Sequence, residues 1–448
     1  MKKFIESISN VWKIEELKNR ILLTLGLLLI YRFGAQVTLP GIDATQLSGL
    51  AGQTKQGIGS VLDMFTGGAF SKASVFALGI MPYISASIVV QLMGIAIPYL
   101  QKLQSDGESG RKKINQITRW LTIGITLLQG PTYIYNLYRT LPSNAFLLGF
   151  NSFEFLFSSV VILTTGTIFA MWLGEKITDK GIGNGISLLI MVGILARLPQ
   201  AFIQEFTTRV TNNNGGPMLL VIEIIVWLLV IISCVLLVMA VRKIPVQYAR
   251  RTSTGDYEQD VMGGNRQWIP LKLNAAGVMP IIFAQAIMFI PAAVAGLSKS
   301  DASQSIVGAF SNMFGFWYNF VFATLIVVFT FFYTAITVPT NKMSDDLKRS
   351  GGFIPGVKPG VETSDFLDKV MSLITFPGSL FLALIAVFPA IVVSIMDVQQ
   401  SWAMFFGGTS LIIMVGVAID TMQQINSYLL NQHYDGLMKT GKNRKAVA

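Results

Sequence analysis

Residues 57–100 read GIGSVLDMFTGGAFSKASVFALGIMPYISASIVVQLMGIAIPYL, and this stretch decides the fold of the chain. A short, glycine-punctuated piece at residues 60–71 is followed by an apolar run at residues 75–98 that is long enough to cross a bilayer. Lipid offers no hydrogen-bond partners, so irregular backbone at membrane depth survives only where protein covers it or water reaches it. The stretch therefore predicts a re-entrant segment next to a cavity.

The composition of the whole chain places it among membrane proteins. Of its 448 residues, 52% are hydrophobic and only 13% are charged, and the mean hydropathy is +0.57. A water-soluble domain of this composition would expose large apolar patches. The single cysteine, Cys234, excludes an intrachain disulfide, and we interpret it as a packing residue because it lies in an apolar run.

Ten apolar windows predict ten membrane spans. They lie near residues 20–36, 75–98, 117–138, 153–174, 184–205, 217–241, 273–296, 316–338, 371–396 and 403–430. When the spans are taken in this order, most lysines and arginines fall in the N-terminal segment, the C-terminal tail and the loops on the same side of the membrane. This bias predicts that both termini are cytoplasmic. The seven exceptions among the 34 are Arg32, Lys55, Lys72, Arg139, Arg197, Arg209 and Lys299.

The first twenty residues predict an amphipathic helix that lies at the membrane interface. Charges are spread through this segment, and its apolar side chains fall on one side of a helix. These are Phe4, Ile5, Ile8, Val11, Trp12 and Ile14. A cleaved presequence is the alternative, although no small-residue cleavage site follows the apolar run that begins at Ile21.

An internal repeat divides the ten spans into two sets of five. LGIMPYISA at residues 78–86 recurs as AGVMPIIFA at residues 276–284. An odd number of spans per half gives the halves opposite orientations, as in inverted-repeat channels and transporters, although a match this short could be coincidence. Both copies carry a proline, which we expect to bend a helix inside its span. The predicted halves are residues 21–210 and 211–430, between the interfacial helix at 1–20 and a tail at 431–448.

The sequence offers no set of residues that would support an enzyme. The only histidine, His433, lies in the tail, and we find no metal-binding, nucleophile or phosphate-loop motif. Charges inside spans are few. Glu223 is the clearest, and it is either a snorkelling or helix-paired carboxylate or a proton relay. We therefore predict a protein that is not an enzyme and has no cofactor.

Four motifs carry a resemblance to a known family. They are FALGIMPYISASI at residues 76–88, GESGRK at 107–112, GIGNGIS at 181–187 and FGGTS at 406–410. With these motifs, and with ten spans in the same order, the chain resembles the SecY family, the pore subunits of the bacterial Sec translocation channel. The resemblance implies an all-α polytopic membrane protein of ten transmembrane helices in two inverted five-helix halves, with a re-entrant plug helix.

The resemblance implies an apolar ring that closes the middle of the channel. The corresponding positions are all isoleucine: Ile80, Ile84, Ile186, Ile190, Ile282 and Ile413. A ring of this kind excludes water and ions by dewetting, yet it can widen around a passing chain. Any one of these side chains by itself would be read as lipid-facing or packed in the bundle.

The resemblance also implies a plug and a lateral gate. Residues 60–71 correspond to the plug, with Gly67 and Gly68 supplying the turn after Ser60, Val61, Leu62, Asp63, Met64 and Phe65. The second and seventh spans correspond to the gate, with Ser85, Gln129 and Asn274 as polar residues at its seam. Such residues contribute only about 0.6 kcal/mol each across helices, so the seam can open. Ordinary interhelical hydrogen bonding is the alternative interpretation.

Two loops between spans, at residues 242–272 and 339–370, carry clustered basic residues. The first predicts a projecting β-hairpin, with Arg250 and Arg251 near its turn. The second contains Lys348, Arg349 and Lys358, where Lys358 replaces the family's usual arginine. The resemblance implies docking of the ribosome and of the SecA ATPase, and charge that only sets topology is the alternative.

The resemblance therefore implies a channel in the bacterial plasma membrane that conducts unfolded secretory polypeptides across it and releases transmembrane segments sideways into lipid. The partners implied by the resemblance are the SecE and SecG subunits, SecA, the ribosome, signal peptides with their nascent chains, and membrane lipid. The alternative from another class is a secondary solute transporter built from inverted repeats.

Overall fold

Helices account for most of the fold. The protein is described by a computed structural model that covers residues 12, 14–47, 63–146, 152–211, 216–248, 266–297 and 312–445. Its α-helices are α1 Glu15–Gly34, α2 Met81–Ala96, α3 Pro98–Ser105, α4 Gly107–Thr140, α5 Ser152–Lys180, α6 Gly185–Thr211, α7 Gly216–Met239, α8 Met279–Leu297, α9 Phe316–Thr337, α10 Thr340–Arg349, α11 Val361–Met396, α12 Gln400–Ala403 and α13 Gly408–Lys445. Residues 15–20 of the predicted interfacial segment belong to α1, and most of that segment lies outside the described residues.

The long helices confirm the prediction of an all-α polytopic membrane protein. Within the described residues, six helical segments are long and apolar enough to cross a bilayer. A seventh is added if α2 and α3, which meet at an angle of 104°, form one bent span. Each of the ten predicted spans overlaps a helix, but α1, α4 and α8 do not reach the same length and apolarity. The count of ten spans therefore stays a prediction.

The internal repeat is visible in the backbone. In each copy a turn segment, residues 75–80 or 273–278, leads into a helix that begins at Met81 or Met279. The glycine of each copy has a positive φ, +54° at Gly79 and +64° at Gly277. The predicted spans at 75–98 and 273–296 thus begin as turns, and regular helix starts about six residues later than predicted.

The two prolines of the repeat do not bend their helices. Pro82 is the second residue of α2 and Pro280 is the second residue of α8. The first N–H groups of a helix have no intrahelical acceptor, so proline in this position removes no hydrogen bond. The prediction that these prolines bend the helices inside their spans was wrong for that reason.

The chain forms two compact units. The first contains residues 1–217, 398–402 and 413–448. Its core includes Leu39, Phe70, Tyr133, Leu137 and Leu163, so the plug segment contributes directly to it through Phe70. The hydroxyl group of Tyr133 donates to the carbonyl of Phe70 at 2.9 Å, and their rings lie 4.9 Å apart. The plug segment is therefore part of the packed interior of this unit.

The second unit contains residues 218–397 and 403–412 and carries a small sheet. Strand β1 (Val241–Tyr248) pairs antiparallel with β2 (Arg266–Lys272), which confirms the predicted hairpin. Strand β3 (Gly352–Phe353) pairs with the other edge of β1, so the order is β2-β1-β3. The sheet thus joins the two basic loops.

Elsewhere in this unit Glu223 is fully buried on α7, so it does not snorkel.

The sheet is anchored by an apolar cluster that includes residues of α10 and α11. Its buried members are Ile244, Val246, Leu271, Leu347, Ile354, Leu367 and Met371. Leu367 is completely buried, whereas Leu373, six residues further along α11, is 66% exposed. The helix therefore presents one packed face and one face suited to lipid.

Replacing Leu367 by alanine is expected to lower the free energy of unfolding by about 2–5 kcal/mol, because it leaves a cavity in this cluster. Leu373→Ala is the matched control, and we expect less than half that loss because its side chain is already largely exposed. Thermal unfolding of the purified chain in detergent measures both variants. Equal losses would contradict the assignment of the packed face.

Candidate functional site

The plug segment is buried over all of its described residues. Residues 63–65 form one helical turn and residues 66–71 continue as turns. Asp63, Met64, Phe65 and Phe70 are all less than one-tenth exposed. Ser60, Val61 and Leu62, which we also predicted for the plug, lie outside the described residues. The re-entrant segment predicted from the sequence therefore has its described backbone covered by protein.

Gly67 and Gly68 form the turn that follows the helical part of the plug. Their φ angles are +64° and +92°, in the region that only glycine enters without strain, as the sequence predicts. Gly67 also lies against Gly193 of α6, where a Cβ on Gly67 would come within 2.8 Å of the Gly193 Cα. A Cβ on Gly193 would come within 2.7 Å of the Phe65 carbonyl oxygen. The plug is seated on α6 by direct backbone contact.

Two arginines contact the plug from different helices. Arg197 of α6 forms an ion pair with Asp63 and donates to the Ser71 hydroxyl oxygen at 2.9 Å. Arg32 of α1 donates to the Gly67 carbonyl oxygen at 2.5 Å. In the sequence both arginines are exceptions to the charge bias, and Arg197 is also one of the few charges inside a predicted span, but neither is assigned a partner. Their position inside or beside apolar helices was the available signal, because a charge at membrane depth usually has a specific partner.

The irregular backbone around the plug finds its hydrogen bonds locally. The amide of Ser71 donates to the Asp63 carboxylate at 2.7 Å, and the amide of Phe70 donates to the Thr66 hydroxyl at 3.2 Å. The following residues pair with the chain after α1. Leu39 N–H donates to Ala73 at 2.8 Å, and Val75 N–H donates to Val37 at 2.9 Å. These bonds stand in for the intrahelical hydrogen bonds that this segment lacks, because lipid offers no hydrogen-bond partners.

The six predicted ring isoleucines fall in both units. Ile80 immediately precedes α2, Ile84 lies in its first turn, and the Ile84 N–H donates to the Ile80 carbonyl at 3.0 Å. Four of the six are buried: Ile80, Ile84, Ile190 and Ile413. Ile186 and Ile282 are half-buried. Ile282 belongs to the second unit and the other five belong to the first, so their common ring stays a prediction.

The three predicted gate residues differ in their surroundings. Ser85 is half-buried on α2, and Gln129 is exposed on α4. Asn274 is buried in the turn segment before α8, and its side-chain oxygen has no hydrogen-bond partner among the described residues. Their role at a common seam stays a prediction.

The predicted docking residues that the structure describes are exposed. Lys348 and Arg349 form the last turn of α10, directly before β3. Lys358 pairs with Glu362 at 3.6 Å, and its side chain is 85% exposed. An exposed pair of this kind contributes between about 0 and 1 kcal/mol, so Lys358 can exchange partners easily. Arg250 and Arg251 lie outside the described residues.

Comparison with known proteins identifies the family. The SecY family model matches residues 74–422 of the chain. The chain belongs to the SecY family. It is 40% identical over 430 residues to the protein translocase subunit SecY of Haemophilus influenzae, covering 95% of this chain and 94% of that one. It is 38% identical over 449 residues to the same subunit of Thermotoga maritima, covering 98% and 99%.

Solved structures agree with this family at the level of the fold. One, described as the structure of a protein-conducting channel, matches with a TM-score of 0.55 at 16% identity, over 91% of each chain. Another, a SecY protein whose plug domain is described as stabilising the closed channel and maintaining a membrane seal, matches with a TM-score of 0.59 at 16% identity, again over 91% of each. The prediction of a protein-conducting channel is confirmed. Neither these SecY relatives nor these structures favour the solute-transporter alternative.

Gly193→Ala is expected to lift the SecY-type plug off α6, because the new Cβ would meet the Phe65 carbonyl and the helix backbone cannot yield. The alkylation rate of a cysteine that replaces Met64, in a chain that also carries Cys234→Ala, measures how often the plug opens. We expect this rate to rise about tenfold or more, which corresponds to a free energy of plug opening that is lower by about 1.4 kcal/mol.

Gly26→Ala in α1 is the matched control for that variant. It is also a helical glycine, but an added Cβ there would meet no atom within 4 Å beyond the nearby backbone of its own helix. Alanine there should leave the alkylation rate unchanged and favour the helix by up to about 1 kcal/mol. The same rate for both variants would contradict the glycine contact as the seat of the plug.

Proposed function

We propose that this chain forms the pore through which unfolded secretory polypeptides cross the bacterial plasma membrane, and from which transmembrane segments leave sideways into lipid. Both termini lie in the cytoplasm, in line with the bias of lysine and arginine. The proposal extends the family assignment to this chain's own residues and membrane.

The buried plug segment is the observation that carries this proposal. It is a half-length, irregular piece of backbone that sits on α6 through glycines rather than crossing the membrane. Regular helices would pack a bundle with fewer demands, because irregular backbone at membrane depth requires extra hydrogen-bond partners. A removable stopper for a channel explains it, and a structural neighbour's plug is described as maintaining a membrane seal.

The seal itself we assign to the six isoleucines, Ile80, Ile84, Ile186, Ile190, Ile282 and Ile413. A narrow apolar collar excludes ions by dewetting, and it tolerates any passing sequence because it makes no specific hydrogen bonds. Ser85, Gln129 and Asn274 mark the proposed lateral gate. Hydrogen bonds between helices in lipid are weak enough for an apolar signal peptide to displace them.

The basic loops supply the proposed docking surface for the ribosome and for SecA. Lys348 and Arg349 project from α10 beside the three-stranded sheet, and ribosomal RNA phosphate is a suitable counter-charge. Two structural neighbours of the chain are themselves ribosome-bound complexes, a canine Sec61 channel and a yeast Ssh1 complex. The ribosome or the ATPase supplies the energy, and this chain acts without catalysis of its own. SecE and SecG complete the proposed membrane assembly.

Ile84→Ser and Ile282→Ser are expected to raise the ion conductance of the resting channel by about tenfold or more, because a hydroxyl group lets water wet the collar. The same variants should accept precursors with defective signal sequences. Ile225→Ser on α7 is the matched control, since Ile225 is 58% exposed on an apolar helix. Planar-bilayer recording and a precursor export assay measure both effects. Loss of a solute uptake activity without any leak would instead indicate a transporter.

Replacing Lys348 and Arg349 together by alanine is expected to weaken ribosome binding and to reduce the slope of log affinity against log salt by about one per lost phosphate contact. Lys112→Ala is the control, because Lys112 is also exposed but lies on α4, outside the sheet and α10. Cosedimentation with ribosomes over a salt series measures the slope. An unchanged slope would remove these two residues from the docking surface.

A further inference from the structure

We infer that Asp63, Arg197 and Arg32 form an electrostatic latch that holds the plug in place and sets how readily the channel opens. The inference rests on the proposed function and adds positioning residues to it. Neither arginine belongs to the predicted plug, ring or gate.

Asp63 is the buried half of the latch. It is only 3% exposed, and both carboxylate oxygens are occupied. One accepts from the Ser71 amide at 2.7 Å, and the other pairs with Arg197. Its backbone carbonyl also accepts from the Gly68 amide at 2.8 Å. The Asp63 carboxylate therefore links the first described residue of the plug to Ser71 at its end.

Arg197 connects this closed loop to the helix behind it. It reaches from α6 to the Asp63 carboxylate and to the Ser71 hydroxyl, so it touches both ends of the plug turn. Gly68 leaves room for the guanidinium, since a Cβ there would come within 3.2 Å of the Arg197 Nε. A planar, multi-donor guanidinium suits two acceptors at once, which a lysine ammonium would hold less rigidly.

Arg32 adds a second attachment from α1. Its Nη1 donates to the Gly67 carbonyl oxygen, the group between the two ends that Arg197 holds. Nearby, Lys72 is engaged by the side chain of Gln36 rather than by the plug carboxylate. Asp63 therefore has one cationic partner among the described contacts, and the plug turn is attached to two helices.

An ion pair whose carboxylate is buried, and whose arginine side chain is 29% exposed, has a specific consequence for opening. When the plug leaves, the pair must separate, and each charge must find water or another partner in a place of low dielectric. The latch thus supplies a threshold that an entering signal peptide has to overcome.

The test uses the full chain in proteoliposomes and planar bilayers, with the variants Asp63→Asn, Arg197→Met and both combined. Each single variant leaves one uncompensated charge beside the plug, so we expect the resting conductance without a precursor to rise about tenfold or more. The double variant removes both charges of the ion pair, and Arg32, which donates to a backbone carbonyl, keeps the contact that it has in the wild type. The double variant's fold-increase in resting conductance over the wild type should be well below the product of the two single-variant fold-increases, which is the signature of a coupled pair.

Arg139→Met is the matched control, because Arg139 is exposed on α4 and contacts the Tyr135 ring away from the plug. It should leave the resting conductance unchanged. Single variants within about twofold of the wild type, or a double variant equal to the product of the singles, would overturn the latch. If a single variant does not fold, the double variant carries the test. Its plug should stay seated on α6, so its resting conductance should be lower than that of Gly193→Ala. Equal resting conductance in these two variants would overturn the latch.

Translocation of a precursor by the wild-type chain separates this inference from the proposed function. A wild type that translocates while its latch variants remain tight overturns the latch alone. A wild type that moves no precursor overturns the proposed function, and the latch with it.

Discussion

The first unit depends on the requirement that backbone polar groups at membrane depth be satisfied by protein. Residues 63–80 are not regular helix, yet their amides donate to carbonyl oxygens, to side-chain oxygens or to the neighbouring segment after α1. Because lipid cannot replace any of these bonds, the segment is stable only when it is enclosed by α1, α6 and the core around Tyr133. A plug that can leave must therefore leave as a unit.

Glycine and arginine solve different parts of this requirement. Gly67 and Gly193 let two backbones approach more closely than any side chain would permit, which seats the plug without filling the space around it. Arg32 and Arg197 then supply donors to a turn that has unused acceptors. Packing gives the position of the plug and charge gives its attachment, so the two can be altered separately.

In the second unit, packing likewise fixes the position of two loops. Strand β1 is shared by β2 and β3, so two loops far apart in sequence form one sheet over a buried apolar cluster. Lys348 and Arg349 lie on a helix that packs into this cluster through Leu347. A basic surface on a rigid base loses less conformational entropy on binding than one on free loops.

By itself the sequence determined the membrane class, the family, the order of the apolar segments, the repeat, the hairpin and the Gly67–Gly68 turn. Composition, apolar run length and glycine placement are local properties, so they can be read along the chain. Only the tertiary structure decided that Pro82 and Pro280 begin their helices, and that Arg32 and Arg197 meet a plug more than 30 and 120 residues away in sequence. Helix starts depend on which turn the preceding residues adopt, and charge partners depend on which helices pack together. Neither is written in the spacing of residues along one segment.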